Sequence, residues 1–401
     1  MVDAPQANKA TPIVFDSWRS LSIALYLALV GYTVMVSVPV LSTALVNLGG
    51  FSEEQVGRIW GADLGGFSFG AILSAFLVAR MNRRLLVAGG IVLSIGANAL
   101  CLVLVDYDAL LMLRVAAGIG SGIFTAVAMV TLGATTNPVK AFNMLLFGFA
   151  LSTAAELHIL PQMEMKEIYV FFIALTVLCA AFLHWLPARP LTEEQLAQQE
   201  QIEEDVENWH VPRFIPVLCL IAVCFTYINI GGYYTYVELA ALADGVAQDW
   251  VGPVLTWSSI FAIVGCVLAL FAGRFGLFKP LFFSLLAIAL VVAQLAGGVN
   301  DVNIVVSLFA FMTLWTFNDI FQSAMLSHMD RQGSLVALLP SVQGFGQSVG
   351  PNIAASVLAA DMGYPGVFMV SGAMALIALA IYLGIFFYVH KWHPLQPAKA
   401  S

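Results

Sequence analysis

Long apolar runs, broken at intervals by short polar or basic stretches, fill the chain from Ser20 onward. Run length decides the element type. A bilayer core about 30 Å thick needs about 20 apolar residues per helix, whereas a barrel strand needs about 9–11 residues in strict alternation. Sustained alternation is absent. The runs predict twelve helices, near 20–44, 57–79, 85–105, 109–134, 141–161, 168–187, 214–240, 251–272, 280–298, 303–327, 335–359 and 364–390. No cleavable leader is expected before the first, because the segment through Ala10 is polar and the first run is long enough to stay in a membrane.

Composition narrows the class further. Of 401 residues, 60% are hydrophobic and 10% charged, and mean hydropathy is +0.91. A soluble globular chain carries about 25% charged residues. This excludes disorder, a disulfide scaffold and an ordinary soluble enzyme, and leaves an all-α polytopic membrane protein. The five cysteines, Cys101, Cys179, Cys219, Cys224 and Cys266, sit in apolar runs and read as small hydrophobes. No P-loop, H-E-x-x-H or zinc-type Cys/His spacing occurs, and no basic patch is interleaved with aromatics. No cofactor, metal, ATP or nucleic acid is therefore expected, and no enzymatic activity.

Charge sets the orientation. With a cytoplasmic N-terminus, thirteen of the sixteen basic residues fall on the same side, and only Arg58, Arg114 and Lys166 lie elsewhere. That bias, with an even span count, predicts both termini in the cytoplasm and a place in the cytoplasmic (bacterial inner) membrane. Seven acids cluster between Glu193 and Glu207, inside a segment from Pro190 to His210 that reads as a solvated tether or surface helix. The expected organisation is a cytoplasmic N-terminus (1–19), a six-helix bundle (20–187), an acidic cytoplasmic linker (188–213), a second six-helix bundle (214–390) and a cytoplasmic tail (391–401).

The halves echo one another. Arg80-Met-Asn-Arg83-Arg84 follows the second helix of the first half, and Gly273-Arg274-Phe-Gly276-Leu-Phe-Lys279 follows the second helix of the second. Repeated halves that rock around a midplane site are typical of secondary transporters. The whole chain resembles a twelve-helix member of the major facilitator superfamily. The family's G-x-L-A-D-R-x-G-R-R loop is matched in part at Ala75–Arg84: Arg80, Arg83 and Arg84 agree, while Ala79 replaces the Asp and Asn82 the Gly. The resemblance implies a conformational-switch loop with an altered latch. A second signature, an Arg and spaced glycines in helix four, is kept in Arg114-Val-Ala-Ala-Gly118-Ile-Gly120-Ser-Gly122. The Gly-Pro antiporter motif is missing from helix five, and Gly350-Pro351 stands in helix eleven instead.

Ionisable residues inside spans are costly and mark function by default. Asp63, Arg114, Glu156 and His158 are placed within about one helical turn of a common depth. Low dielectric favours a neutral acid and a neighbouring guanidinium favours the carboxylate, so this layer reads as a proton-coupling cluster or a static ion pair. By resemblance, the helix-four Arg belongs to proton coupling. Asp319, in Trp315-Thr-Phe-Asn318-Asp319, lies mid-helix with no basic neighbour and could hold a proton or a cationic solute. By resemblance, helices four and ten both line a central cavity. Helix seven carries Asn229-Ile-Gly231-Gly232-Tyr233-Tyr234-Thr-Tyr236, whose paired glycines permit a break and whose tyrosines could stack on a solute or form an interfacial belt. Tyr26, Tyr32, Gln343 and Gln347 complete the candidate contacts. The spaced glycines Gly118, Gly120, Gly122, Gly344, Gly346 and Gly350 predict close helix packing. Together these features point to a monomeric, proton-coupled secondary transporter of a small organic solute, with an uncoupled facilitator or a non-transporting receptor as the alternatives.

Overall fold

In the computed structural model, residues 14–78, 80–135, 138–188, 212, 214–329, 335 and 338–392 are described. The acidic segment 190–210, the N-terminus through Ala10, Ala79, Arg213, Arg331 and residues 393–401 lie outside them. Among the described residues the architecture is helical throughout, with twelve α-helices of at least 16 residues. They are α1 Trp18–Asn47, α2 Glu53–Leu77, α3 Arg83–Cys101, α4 Tyr107–Gly133, α5 Pro138–Ile159, α6 Met165–Ala181, α7 Phe214–Ala243, α8 Gln248–Ala272, α9 Phe278–Ala293, α10 Asp301–Met329, α11 Leu339–Ala359 and α12 Gly363–Trp392. Ten of these segments, α9 being counted with the 3₁₀ turn that carries it to Gly297, are long and apolar enough to cross a membrane. The other two are α6 and α11. At 17 residues α6 is short for a 30 Å core, and α11 is diluted by Gln343, Gln347, Ser348 and Asn352.

Helix starts are set by capping. Ser52 and Gln55 form a reciprocal capping box, and Asp106 and Asn82 accept from early backbone amides of α4 and α3. This is why α2 begins at Glu53 rather than near 57: the acidic first turn is unfavourable in lipid but well suited to a helix N-terminus.

Helices α1–α6 pack chiefly on one another, as do α7–α12, and the two groups meet through α2 against α11, α5 against α8 and α1 against α7. Glycine makes the closest approaches possible. A Cβ at Gly118 would overlap the Asp63 carbonyl, and one at Gly122 the Phe67 carbonyl, so α4 lies with its backbone against α2. Gly231 meets the Gln347 carbonyl of α11 in the same way. Helix α7 runs unbroken through Gly231 and Gly232. The break allowed by the sequence is not made, because these glycines serve packing, and each backbone amide keeps its helical partner.

The end of the molecule where α1 begins is called here the near end, and the other the far end. Near the near end, Arg84 donates to the carbonyls of Leu186 (2.6 Å) and His184 (2.7 Å), tying the start of α3 to the turn after α6. Arg83 is buried with its guanidinium over the Phe15 ring (4.9 Å). Arg80 and Arg274 are exposed, the latter over the Phe275 ring.

Candidate functional site

A cavity of about 280 Å³ lies between the two helical groups, from mid-helix toward the near end. Its wall is aromatic and thioether-rich. Tyr32 and Met35 come from α1, Phe67 from α2, Met129 from α4, Phe147 and Phe149 from α5, Tyr227 from α7, and Met312 and Trp315 from α10. Polar groups are few: Asp319 and Thr316 of α10, Cys266 of α8 and Gln343 of α11. Among the described lining residues none is Lys, Arg or His.

Among the described lining residues Asp319 is the single carboxyl group. The Tyr227 hydroxyl donates to both carboxylate oxygens, at 2.7 and 2.8 Å, and Gln343 Nε2 stands 3.5 Å away. Trp315 Nε1 reaches the same hydroxyl at 3.5 Å, with its ring edge-on to Tyr227. A carboxylate held by one hydroxyl among π faces can do two things. It can exchange a proton, or it can pair with an organic cation whose body stacks on the surrounding rings.

On the far side the cavity ends in a seal. Tyr234 of α7 donates to the Val36 carbonyl of α1 (3.0 Å) and stacks on Phe311. Tyr236 donates to the Glu53 carbonyl at the start of α2 (2.8 Å). Two further bonds cross between the groups along α2 and α11, from Ser348 to the Gly61 carbonyl (2.6 Å) and from Ser68 to the Ser341 carbonyl (2.7 Å).

The residues expected to share one layer divide into separate sites. Asp63 and Arg114 form a buried ion pair, Nη1 to Oδ2 3.3 Å, in contact without hydrogen-bond alignment. Arg114 Nη2 donates to Asn98 (2.6 Å), and its guanidinium lies over the Tyr169 ring. A narrow cavity of about 20 Å³ adjoins Thr33, Asp63, Asn98 and Arg114. Glu156 is bound elsewhere, accepting from Ser37 (2.7 Å) and, more weakly, from Thr33 (3.4 Å), both on α1. Thr33 thus borders both groups. His158 is exposed near the end of α5, away from both.

Of the expected solute contacts, Tyr32, Trp315, Asp319 and Gln343 line the central cavity. The others point into helix contacts. Tyr26 donates to the Leu175 carbonyl of α6, and Asn229 to the Ser371 carbonyl of α12. Tyr233 pairs with Ser307, and Asn318 accepts from Ser284 of α9. Tyr236 belongs to the seal, and Gln347 is buried on α11. Two residues were missed from sequence. Tyr227 and Glu238 share the α7 face of Tyr234 at i, i+7 and i+11, a spacing that groups them once Tyr234 is placed on the seam.

The Major Facilitator Superfamily model matches residues 23–351. Among solved structures, a variant of the nucleoside transporter NupG is similar with a TM-score of 0.72 and 14% identity, covering 91% of this chain and 98% of that one. A D-xylose-proton symporter gives 0.71 and 15%, covering 95% and 98%. A structure described in terms of substrate recognition in proton dependent oligopeptide transporters gives 0.68 and 14%, covering 92% and 98%. No curated protein matches the sequence.

Proposed function

The chain belongs to the Major Facilitator Superfamily, and from that premise we propose that it is a proton-coupled secondary transporter of a small organic solute, working by alternating access. The observation that carries this reading is Asp319, the single carboxyl group among the described residues of a cavity enclosed by both helical groups, and held by Tyr227. Similarity in fold to a xylose-proton symporter and to a structure described for proton dependent oligopeptide transporters supports it.

In this reading all twelve helices cross the cytoplasmic (bacterial inner) membrane of a monomer. Both termini are cytoplasmic, and α1–α6 and α7–α12 rock as two bodies joined by the acidic linker. The near end is then cytoplasmic, and the conformer described here is closed toward the outside by Tyr234 and Tyr236. Protonation of Asp319, or its pairing with a cationic solute, removes a buried charge and so changes the relative free energy of the inward- and outward-facing states. The wall, poor in basic groups, favours a neutral, cationic or zwitterionic solute. Asp63 and Arg114 lie outside the cavity and link α2 to α4 within one body. Glu156 links α5 to α1.

The test is proton movement in proteoliposomes loaded with a pH-sensitive dye, challenged with amines, sugars, nucleosides, short peptides and organic acids. A dye response to one class in the native protein, abolished in Asp319→Asn, is expected. Solute flux with no proton signal would replace this reading with uncoupled facilitation.

A further inference from the structure

The α7 face that carries Tyr227 and Tyr234 continues one turn beyond the seal to Glu238, about 6 Å further along the helix. There it borders a second cavity, of about 190 Å³, at the far end. Thr43 and Asn47 of α1 and Gln248 at the start of α8 also face this space, as do Leu160, Pro161 and Met163 from the turn after α5. Four side chains from three helices thus offer oxygen, and no basic side chain lines the cavity. Tyr234, bonded to the Val36 carbonyl, separates it from the central site.

Glu238 is 1% exposed, and one of its carboxylate oxygens has no hydrogen-bond partner. The groups facing it are Thr43 and Asn47 from α1, Gln248 from α8 and Tyr234 on its own helix; none carries a charge. A bare ionised carboxylate in that position is strongly unfavourable. It would also draw water and hold α1 and α7 apart at this end. Two chemistries remove the penalty without moving the helices: a proton on the free oxygen, or a small hard cation held by the carboxylate and the neighbouring neutral oxygens.

We propose that the far cavity is a loading site for a small monovalent cation, a proton or sodium, bound at Glu238, and that its occupancy is what allows the far end to close. The role of this site in transport rests on the proposed function; cation binding to it does not. The site is distinct from Asp319, since the seal lies between them, and from Asp63, which already has Arg114.

Thermal unfolding of the full chain in lipid nanodiscs tests the proposal. Midpoints are compared in sodium chloride, potassium chloride and choline chloride at one ionic strength, and in choline across a pH series. Sodium loading appears as a saturable rise in midpoint over choline. Proton loading appears as a rise on acidification in choline, with no preference among the salts. In either case Glu238→Gln, which is permanently neutral, is expected to lose that dependence, while Asp319→Asn keeps it. Thr43→Val, a milder change that removes one neutral oxygen from the cavity wall, is expected to raise the half-saturating sodium concentration severalfold where sodium is the ligand, and to leave the fold intact. A midpoint indifferent to both cation and pH, or a dependence that persists in Glu238→Gln, overturns the proposal. Because this readout needs neither a solute nor a gradient, it stands or falls separately from the dye-flux test of Asp319.

Discussion

Removing both members of the Asp63–Arg114 pair should cost less than the sum of removing each alone. The side chains are 3% and 0% exposed and 3.3 Å apart, so neither charge can turn to water when its partner is removed. Losing one member of a buried pair costs about 3–5 kcal/mol, because the survivor is left desolvated. The two single changes are not equivalent. Asp63→Asn leaves Arg114 with Asn98 at 2.6 Å and the Tyr169 ring, which places it at the lower end, about 3 kcal/mol. Arg114→Met leaves Asp63 able to take up a proton, whereas Arg114 cannot give one up, and so should cost less, about 2 kcal/mol. The double variant Asp63→Asn/Arg114→Met buries no charge and should recover at least about 2 kcal/mol relative to the sum of the singles. The assay is equilibrium unfolding of the purified protein in mixed micelles, analysed as a double-mutant cycle. Additive singles, or an Asp63→Asn variant as stable as the native chain, would refute a structural pair and return Asp63 to the candidates for proton exchange.

Other expectations follow from single contacts. Gly118→Ala sets a methyl against the Asp63 carbonyl and should cost about 1–3 kcal/mol in the same unfolding assay. Gly89→Ala, which meets open space within α3, should be neutral or stabilise by up to about 1 kcal/mol. Tyr234→Phe removes one bond from the far seal, worth about 0.5–1.5 kcal/mol, and should raise the alkylation rate of a Val40→Cys reporter about 2–10-fold. Unchanged labelling would mean that the bond does not hold the seal shut. Cys266 lines the central cavity whereas Cys101, Cys179 and Cys219 are buried. Alkylation by N-ethylmaleimide should therefore block transport through Cys266, with protection by the transported solute and resistance in Cys266→Ser.

The helical framework was legible because a membrane span is a property of contiguous sequence: run length and hydropathy need no knowledge of neighbours. The errors came where other physics acts. Hydropathy discards Glu53 and Glu54, which the Ser52–Gln55 capping box draws into α2. It extends helix six to 187, whereas α6 ends at Ala181 and a short 3₁₀ turn supplies the carbonyls that Arg84 holds. Asp319 stood out because a lone mid-span acid is conspicuous in any sequence. Tyr227 did not, since a tyrosine in an apolar helix has many uses and its role depends on α10 lying opposite. The same limit applies to Asn229, Tyr233 and Asn318, which are polar residues at mid-membrane depth whose partners belong to neighbouring helices rather than the cavity. Depth can be counted along a sequence, but azimuth around a tightly packed, all-round apolar helix cannot.

Four hydrogen bonds that cross between the helical groups among the described residues share a form: in each, a serine or tyrosine hydroxyl donates to a main-chain carbonyl, of Gly61, Ser341, Glu53 or Val36. Half of every such bond is therefore independent of sequence. A substitution at the accepting position leaves the acceptor in place, so each of these bonds depends on its donor alone. An interface of that kind tolerates drift on its accepting side and can be loosened one hydroxyl at a time, in small steps, without leaving a buried charge behind. If the chain works by the alternating access proposed above, the poise between its two conformations is open to adjustment by single substitutions that never touch the central cavity.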